Sequence, residues 1–223
     1  MVSAYVPALA AKGNETTAQR ILLAGMRCFA REGFAGATTR MIAAEAEVTL
    51  PVIAYYFGNK DGLHRACAKE IVEQHRRLLL PLVAEARHVA DAGSLDRTEA
   101  RIWLERIIDA LVKAITADAE QRLSTDFVLR EMSEQGPGYA LLFEELWRPG
   151  IGLVADLLAI ARGRARSGEE DRTAALMLIA ALSAFTREEP ISLAFLGWEA
   201  LNDERRALVS QAARGLLAGL LDN

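Results

Sequence analysis

Apolar residues recur at helical spacing along most of the chain, and the repeats break at glycine, proline and capping residues. Thr17–Arg31 opens on an N-cap candidate, Thr17, carries Ile21, Gly25, Cys28 and Phe29 along one face and ends at Gly33, predicting a first helix. After the turn Gly33-Phe34-Ala35-Gly36, Thr38 can cap a short second helix through Ala46, with Ile42 and Ala43 inward. Glu47-Val48-Thr49 then leads into Leu50-Pro51-Val52-Ile53-Ala54-Tyr55-Tyr56-Phe57, where Pro51 suits a first helical turn because its missing N–H would be unpaired there. Gly58-Asn59 breaks this third helix. A fourth starts at Lys60-Asp61-Gly62 and runs through Leu63, Ala66, Cys67 and Ile71 to about Leu80, before Pro81.

The later pattern is also helical. Arg101–Ala117 places Trp103, Ile107, Leu111 and Ile115 at regular spacing, and Arg122–Glu134 places Leu123, Phe127 and Arg130 or Glu131 along a face. Gln135-Gly136-Pro137-Gly138 is a break. Tyr139 to about Ala161 resumes with an irregularity at Pro149-Gly150, Arg162 to Asp171 reads as an exposed charged loop, and helices over Arg172–Ala194, kinked at Pro190, and Glu204–Leu221 complete the chain. The expected fold is all-α: a three-helix helix-turn-helix head at residues 1–64 and a larger helical domain at 65–223.

Composition strengthens this reading. About half of the residues (52%) are apolar and only six are proline, so the chain can bury a real core and is rich in helix-forming residues. Charge matters only when divided. Residues 1–65 carry seven Lys/Arg against five Asp/Glu, a net +2, while the remainder is net −6. An acidic body repels a polyanion and a modestly basic head does not, so a nucleic-acid partner belongs at the head. Cys28 and Cys67 have no metal-ligand spacing and fit a reduced, cytoplasmic protein. The mildly apolar Met1–Ala11 stretch lacks a basic n-region and a long apolar core, and no apolar run is long enough to cross a bilayer, so no membrane partner is expected.

A short third helix anchored from inside and small or apolar outside meets the demands on a helix that enters the major groove of DNA. Val48, Ile53 and Phe57 can anchor it. Thr49, Leu50, Pro51 and Ala54 can face the groove, with Leu50 and Ala54 offering apolar contact to thymine methyls. Tyr55 and Tyr56 suit phosphate hydrogen bonds, although Tyr55 can equally pack inside the head. Lys60 combines its charge with a helix N-terminus that favours phosphate. Thr39 and Arg40 either touch the DNA backbone or cap and solvate the second helix. His64, His75 and His88 form no ligand cluster, and His64 reads as a surface residue or a head-to-body contact. No catalytic constellation, cofactor or metal is expected.

The run Phe29-Ala30-Arg31-Glu32-Gly33-Phe34, Thr38 with Ile42-Ala43, and Tyr55-Tyr56-Phe57-x-Asn59-Lys60-Asp61-Gly62-Leu63 together resemble the TetR family of transcriptional regulators. Glu47 departs from that pattern, standing in the turn where the family usually has glycine. The resemblance implies an all-α, non-enzymatic homodimer that represses from a palindromic operator and is released by a small molecule. Arg130-Glu131-Met132, Pro137, Phe185-x-Arg187-Glu188 and Leu196-Gly197-Trp198-Glu199 are similar to its CecR-like subgroup, which implies a role in transport or drug response. Trp103, Phe127, Arg130, Glu131, Phe143, Trp147 and Phe185 either line an effector pocket or form core with an internal Arg/Glu pair. Leu176, Ile179, Leu208, Ala212, Gly215, Leu216 and Gly219 form a candidate dimer face, where small residues let helices approach closely.

Overall fold

The computed structural model describes residues 16–91, 95–115, 119–186 and 188–222, so the readings at Met1–Ala11 and Arg187 lie outside the described residues. Among the described residues eleven α-helices follow in order: α1 Thr17–Gly36, α2 Thr39–Glu45, α3 Leu50–Phe57, α4 Lys60–Asp91, α5 Arg97–Ile115, α6 Ala119–Glu134, α7 Tyr139–Leu142, α8 Arg148–Ala161, α9 Glu169–Ala181, α10 Glu189–Leu196 and α11 Asp203–Leu221. Among the described residues there is no strand. The chain forms two compact units, one of Met1–Arg76 with Leu123–Leu146, the other of Arg77–Arg122 with Trp147–Asn223. The start of α4, α6 from Leu123 onward and α7 fall in the first unit with α1–α3.

In the first unit, α1 begins one residue earlier than expected. Thr16 is its cap, accepting from the Gln19 N–H at 3.3 Å, while Gln19 Oε1 accepts from the Thr16 N–H at 2.8 Å. Gly33 interrupts the helix with φ +72°, a left-handed conformation that favours glycine, while the group nearest to a Cβ there is the movable carboxylate of Glu134. Cys28 and Cys67 are buried and unlinked. Burial first, then the hydrogen bond and charge of Glu45, pushes the Cys28 thiol up to about 11, leaving it unreactive at neutral pH.

The second unit packs α5, α8, α9 and α11 around Leu104, Ile108, Val154, Leu157, Leu158, Ala175, Leu178 and Leu217. Asp96 and Glu99 cap α5 reciprocally through each other's backbone N–H, so it starts at Arg97 rather than Arg101. Helix α4 continues through Pro81 to Asp91: the proline removes one helical N–H, but the following residues are mostly good helix formers. The irregularity expected at Pro149-Gly150 lies just before it, as a π-helical turn over Phe143–Trp147. Pro149 has no N–H to return to the Glu145 carbonyl, which favours the wider spacing there.

Two further expectations are refined. The charged tract after α8 is exposed over most of its length, as expected, but it is anchored at both ends. Asp171 is fully buried, bonded to Arg162 at 2.7 Å and Arg164 at 3.1 Å, while Arg162 also donates to the Leu220 carbonyl at 2.7 Å and ties down the end of α11. The helix expected over Arg172–Ala194 is two: α9 gives way to a 3₁₀ turn at Leu182–Phe185, where the Thr186 and Glu188 N–H groups both bond the Ser183 carbonyl. Pro190 occupies the first turn of α10 and starts a helix rather than kinking one.

Candidate nucleic-acid interface

The turn between α2 and α3 is set by its hydrogen bonds. Thr38 caps α2 by accepting from the Met41 N–H at 3.2 Å. At the other end, Val48 N–H bonds the Ala43 carbonyl at 2.9 Å and Glu47 N–H bonds the Ala44 carbonyl at 3.2 Å, a Schellman pair that needs a left-handed residue between them. That residue is Glu47, at φ +54°. The chain then extends through Thr49, whose side chain makes no cap bond, and enters α3 with Pro51 in the first turn.

Burial divides α3 into two faces. Ile53 is buried and packs in a unit whose core includes Ile42, Ala43 and Ala46; Val52 and Phe57 are half-buried. Leu50, Pro51, Ala54 and Tyr55 are exposed and lie three or four residues apart, which makes one contiguous outer face. Tyr55 is 83% exposed, so of its two expected placements the outward one holds; its ring meets Tyr56 edge-on at 5.1 Å. Thr49, Tyr56 and Arg40 are exposed and Thr39 is half-buried at the start of α2. These candidates therefore gather around the outer surface of α2 and α3.

Lys60 does not join them as a free phosphate ligand. Its ammonium donates to the carbonyls of Phe34 at 2.8 Å and Ala37 at 3.0 Å and lies 4.4 Å from the centre of the Phe34 ring. Two of its three donors thus hold the end of α1 after the left-handed Gly33. Its neighbours have equally local tasks: Asn59 Oδ1 accepts from the Gly62 N–H at 2.8 Å, and a Cβ on Gly62 would overlap the Phe57 carbonyl. The Asn59-Lys60-Asp61-Gly62 run is a device that fixes the exit from α3.

His64, one turn further along α4, is buried, so of its two expected placements the contact with a residue of 65–223 holds: Nε2 meets Glu131 Oε2 at 3.1 Å. The rings of Phe29, Phe34 and Phe127 surround it at 4.6, 5.0 and 4.9 Å, and Glu131 also accepts from the Gly138 N–H. A Cβ at Gly138 would come within 2.9 Å of Ala68. Sequence spacing could not pair His64 with Glu131; the one local signal is that Glu131 falls four residues after Phe127, on the apolar face of its helix.

That hub changes the reading of the effector residues. Phe127, Arg130, Glu131 and Phe143 belong to the first unit, Trp103, Trp147 and Phe185 to the second. Phe127 and Glu131 are core there, Arg130 pairs with Glu134 at 2.9 Å, and Phe143 stacks on Tyr139. Trp103 is buried under the Arg106 guanidinium at 4.0 Å. The seven do not form one site within either unit. The second unit holds instead an apolar cavity lined by residues including Leu104, Ile108, Leu111, Val154, Leu178 and Ile179, with a volume of about 10 Å³. It is close to the limit for one water.

The candidate dimer residues do share exposure. Leu176, Leu208 and Leu216 are each about half exposed, Ala212, Gly215 and Gly219 are exposed, and Ile179 is half-buried, on the neighbouring helices α9 and α11.

A left-handed turn joining a short, inwardly anchored α2 to an α3 with an open outer face defines a helix-turn-helix DNA-binding regulator. Residues 21–67 match the model of the bacterial regulatory proteins, tetR family. The chain is 29% identical over 205 residues to the HTH-type transcriptional dual regulator CecR of Shigella flexneri, covering 92% of this chain and 91% of that one. It is 27% identical over 161 residues to the HTH-type nicotine-responsive transcriptional repressor HdnoR of Paenarthrobacter nicotinovorans, covering 72% and 77%. The crystal structure of a TetR-like transcriptional regulator from Rhodococcus sp. RHA1 is similar over 93% of this chain and 98% of that one, with a TM-score of 0.63 and 23% identity. The chain is thus similar over residues 21–67 to the tetR family of bacterial regulatory proteins, and over most of its length to HTH-type transcriptional regulators.

Proposed function

We propose that this protein is a cytoplasmic, homodimeric repressor that holds a palindromic operator through two copies of α3 and is released when a small molecule binds the helical body. The single observation that carries this reading is the outer face of α3, whose large apolar and aromatic side chains stand exposed on a helix anchored by Ile53. Residues 1–64 act as the DNA-binding part and 65–223 as the effector-binding and dimerising part. Thr39, Arg40, Thr49, Leu50, Pro51, Ala54, Tyr55 and Tyr56 contact DNA. Leu176, Ile179, Leu208, Ala212, Gly215, Leu216 and Gly219 meet the same residues of a second copy, an isologous interface that pairs two heads on one operator. No described helix is long and apolar enough to cross a membrane, in keeping with a regulator that reaches DNA.

Release by an effector is supported by the nicotine-responsive repressor among the relatives. Ligand sites ordinarily enclose several hundred Å³. The apolar cavity of the second unit is far smaller, so it opens only as the ligand enters. An effector that prefers the opened body shifts the population of head arrangements, and heads that no longer match major grooves about 34 Å apart lose the second half-site. The test is operator binding by the full chain with and without a panel of metabolites and drugs, read together with thermal unfolding. A compound that raises the unfolding midpoint and weakens operator binding supports the reading; compounds that bind without changing operator affinity contradict release by that ligand. The dual regulator among the relatives favours a second mode, activation at some promoters, which transcript levels with and without the gene distinguish.

A further inference from the structure

Helix α3 is chemically one-sided in a second sense. Its eight residues, Leu50-Pro51-Val52-Ile53-Ala54-Tyr55-Tyr56-Phe57, include no charged side chain and no amide; their only polar side-chain atoms are the two phenol hydroxyls. In the major groove, guanine is read by Arg or Lys, adenine by Asn or Gln, cytosine by Asp or Glu, and thymine by apolar contact with its C5 methyl. Helix α3 lacks the first three kinds of reader. Leu50, Pro51 and Ala54 are exposed on adjacent turns at its N-terminal half, the end that a recognition helix presents to base edges. The next cation along the chain, Lys60, spends two donors on the Phe34 and Ala37 carbonyls.

Resting on the reading of α3 as the recognition helix, we propose that Leu50, Pro51 and Ala54 are the specificity-determining residues and that they select thymine methyl groups. The half-site is then defined by where its thymines stand, and guanines at the positions under α3 contribute little through N7 and O6. Phosphate contacts from elsewhere on the head supply affinity without sequence information.

The experiment uses the full chain and the DNA fragment that it enriches most from a random pool. Each thymine is replaced in turn by deoxyuridine, which removes only the methyl, and each guanine by 7-deazaguanine, which removes the N7 acceptor. The expected result is a loss of about fourfold in affinity at one to three thymines of each half-site, the factor that corresponds to one buried methyl group, with small effects at guanines. Leu50→Ala, at an exposed position that leaves folding intact, removes the thymine-to-uracil difference at one of those positions while the others keep theirs. Specific binding that is indifferent to every methyl, or that depends on guanine N7, overturns the proposal and leaves the regulator reading standing. No enrichment of any fragment overturns both.

Discussion

Replacing Glu47 by glycine tests whether the turn is strained as its geometry indicates. Glu47 sits at φ +54° between the Val48-to-Ala43 and Glu47-to-Ala44 hydrogen bonds, so it cannot leave the left-handed region without breaking the Schellman pair. A residue with a Cβ pays roughly 1–2 kcal/mol in that conformation. Glycine returns part of this, about 0.4–1 kcal/mol, because it is freer in the unfolded chain. Glu47 is exposed, and no other loss offsets the gain. Glu47→Gly is therefore expected to stabilise the protein by about 1 kcal/mol, a rise of about 2–4 °C in Tm for a chain of this size. Urea unfolding followed by circular dichroism measures it, with Glu47→Ala as the control. Alanine removes the carboxylate but keeps the Cβ, so its midpoint stays within about 0.5 kcal/mol of the parent. A glycine variant no more stable than the parent, or an alanine variant that gains as much as glycine, refutes the strain argument.

Three other outcomes follow from contacts described above. Lys60→Met removes two charge-assisted bonds to carbonyls and is expected to cost about 2 kcal/mol in urea unfolding; the salt dependence of DNA binding stays unchanged, whereas a phosphate-bound lysine lowers the slope by about one. Burial works against ionised Asp171, but the Gly168 N–H, Arg162 and Arg164 outweigh it and hold its carboxyl below the usual range. Its stabilisation is complete above the unfolded value of about 4 and is lost as pH falls through the lower folded value, so the unfolding midpoints of the parent and of Asp171→Asn converge as the solution is acidified. Leu216→Glu puts a charge on the exposed face of α11; sedimentation velocity is expected to give a monomer, with operator affinity lost in parallel.

Much of the head was legible because its signals are local. Thr38 caps α2, Pro51 opens α3 and Gly58 ends it, each acting on backbone within four residues. The glycine-like demand at position 47 could be read from the pattern, and φ +54° there is its physical form. What sequence reading missed involves partners far apart in the chain. Lys60 looked like a phosphate ligand because the carbonyls it holds belong to Phe34 and Ala37. His64 and Glu131 looked unrelated because only the folding of α6 against the head brings them to 3.1 Å. For the same reason the places of Phe127 and Glu131 in the core of the first unit were not legible in the sequence. The charged run concealed its anchor as well, since Asp171 is buried at the end of a tract that reads as solvated. Pro190 was a signal of the right kind assigned to the wrong consequence: it begins α10.

Operator recognition by α3 is measured by selecting bound fragments from a random DNA pool with the full chain, at moderate salt where nonspecific phosphate attraction is reduced. The expected product is an inverted repeat whose half-sites are separated by whole helical turns, and its enrichment is lost when Ala54→Glu places a carboxylate on the outer face of α3. A pool that remains random after selection, or an enriched sequence that the Ala54 variant binds unchanged, contradicts recognition by α3.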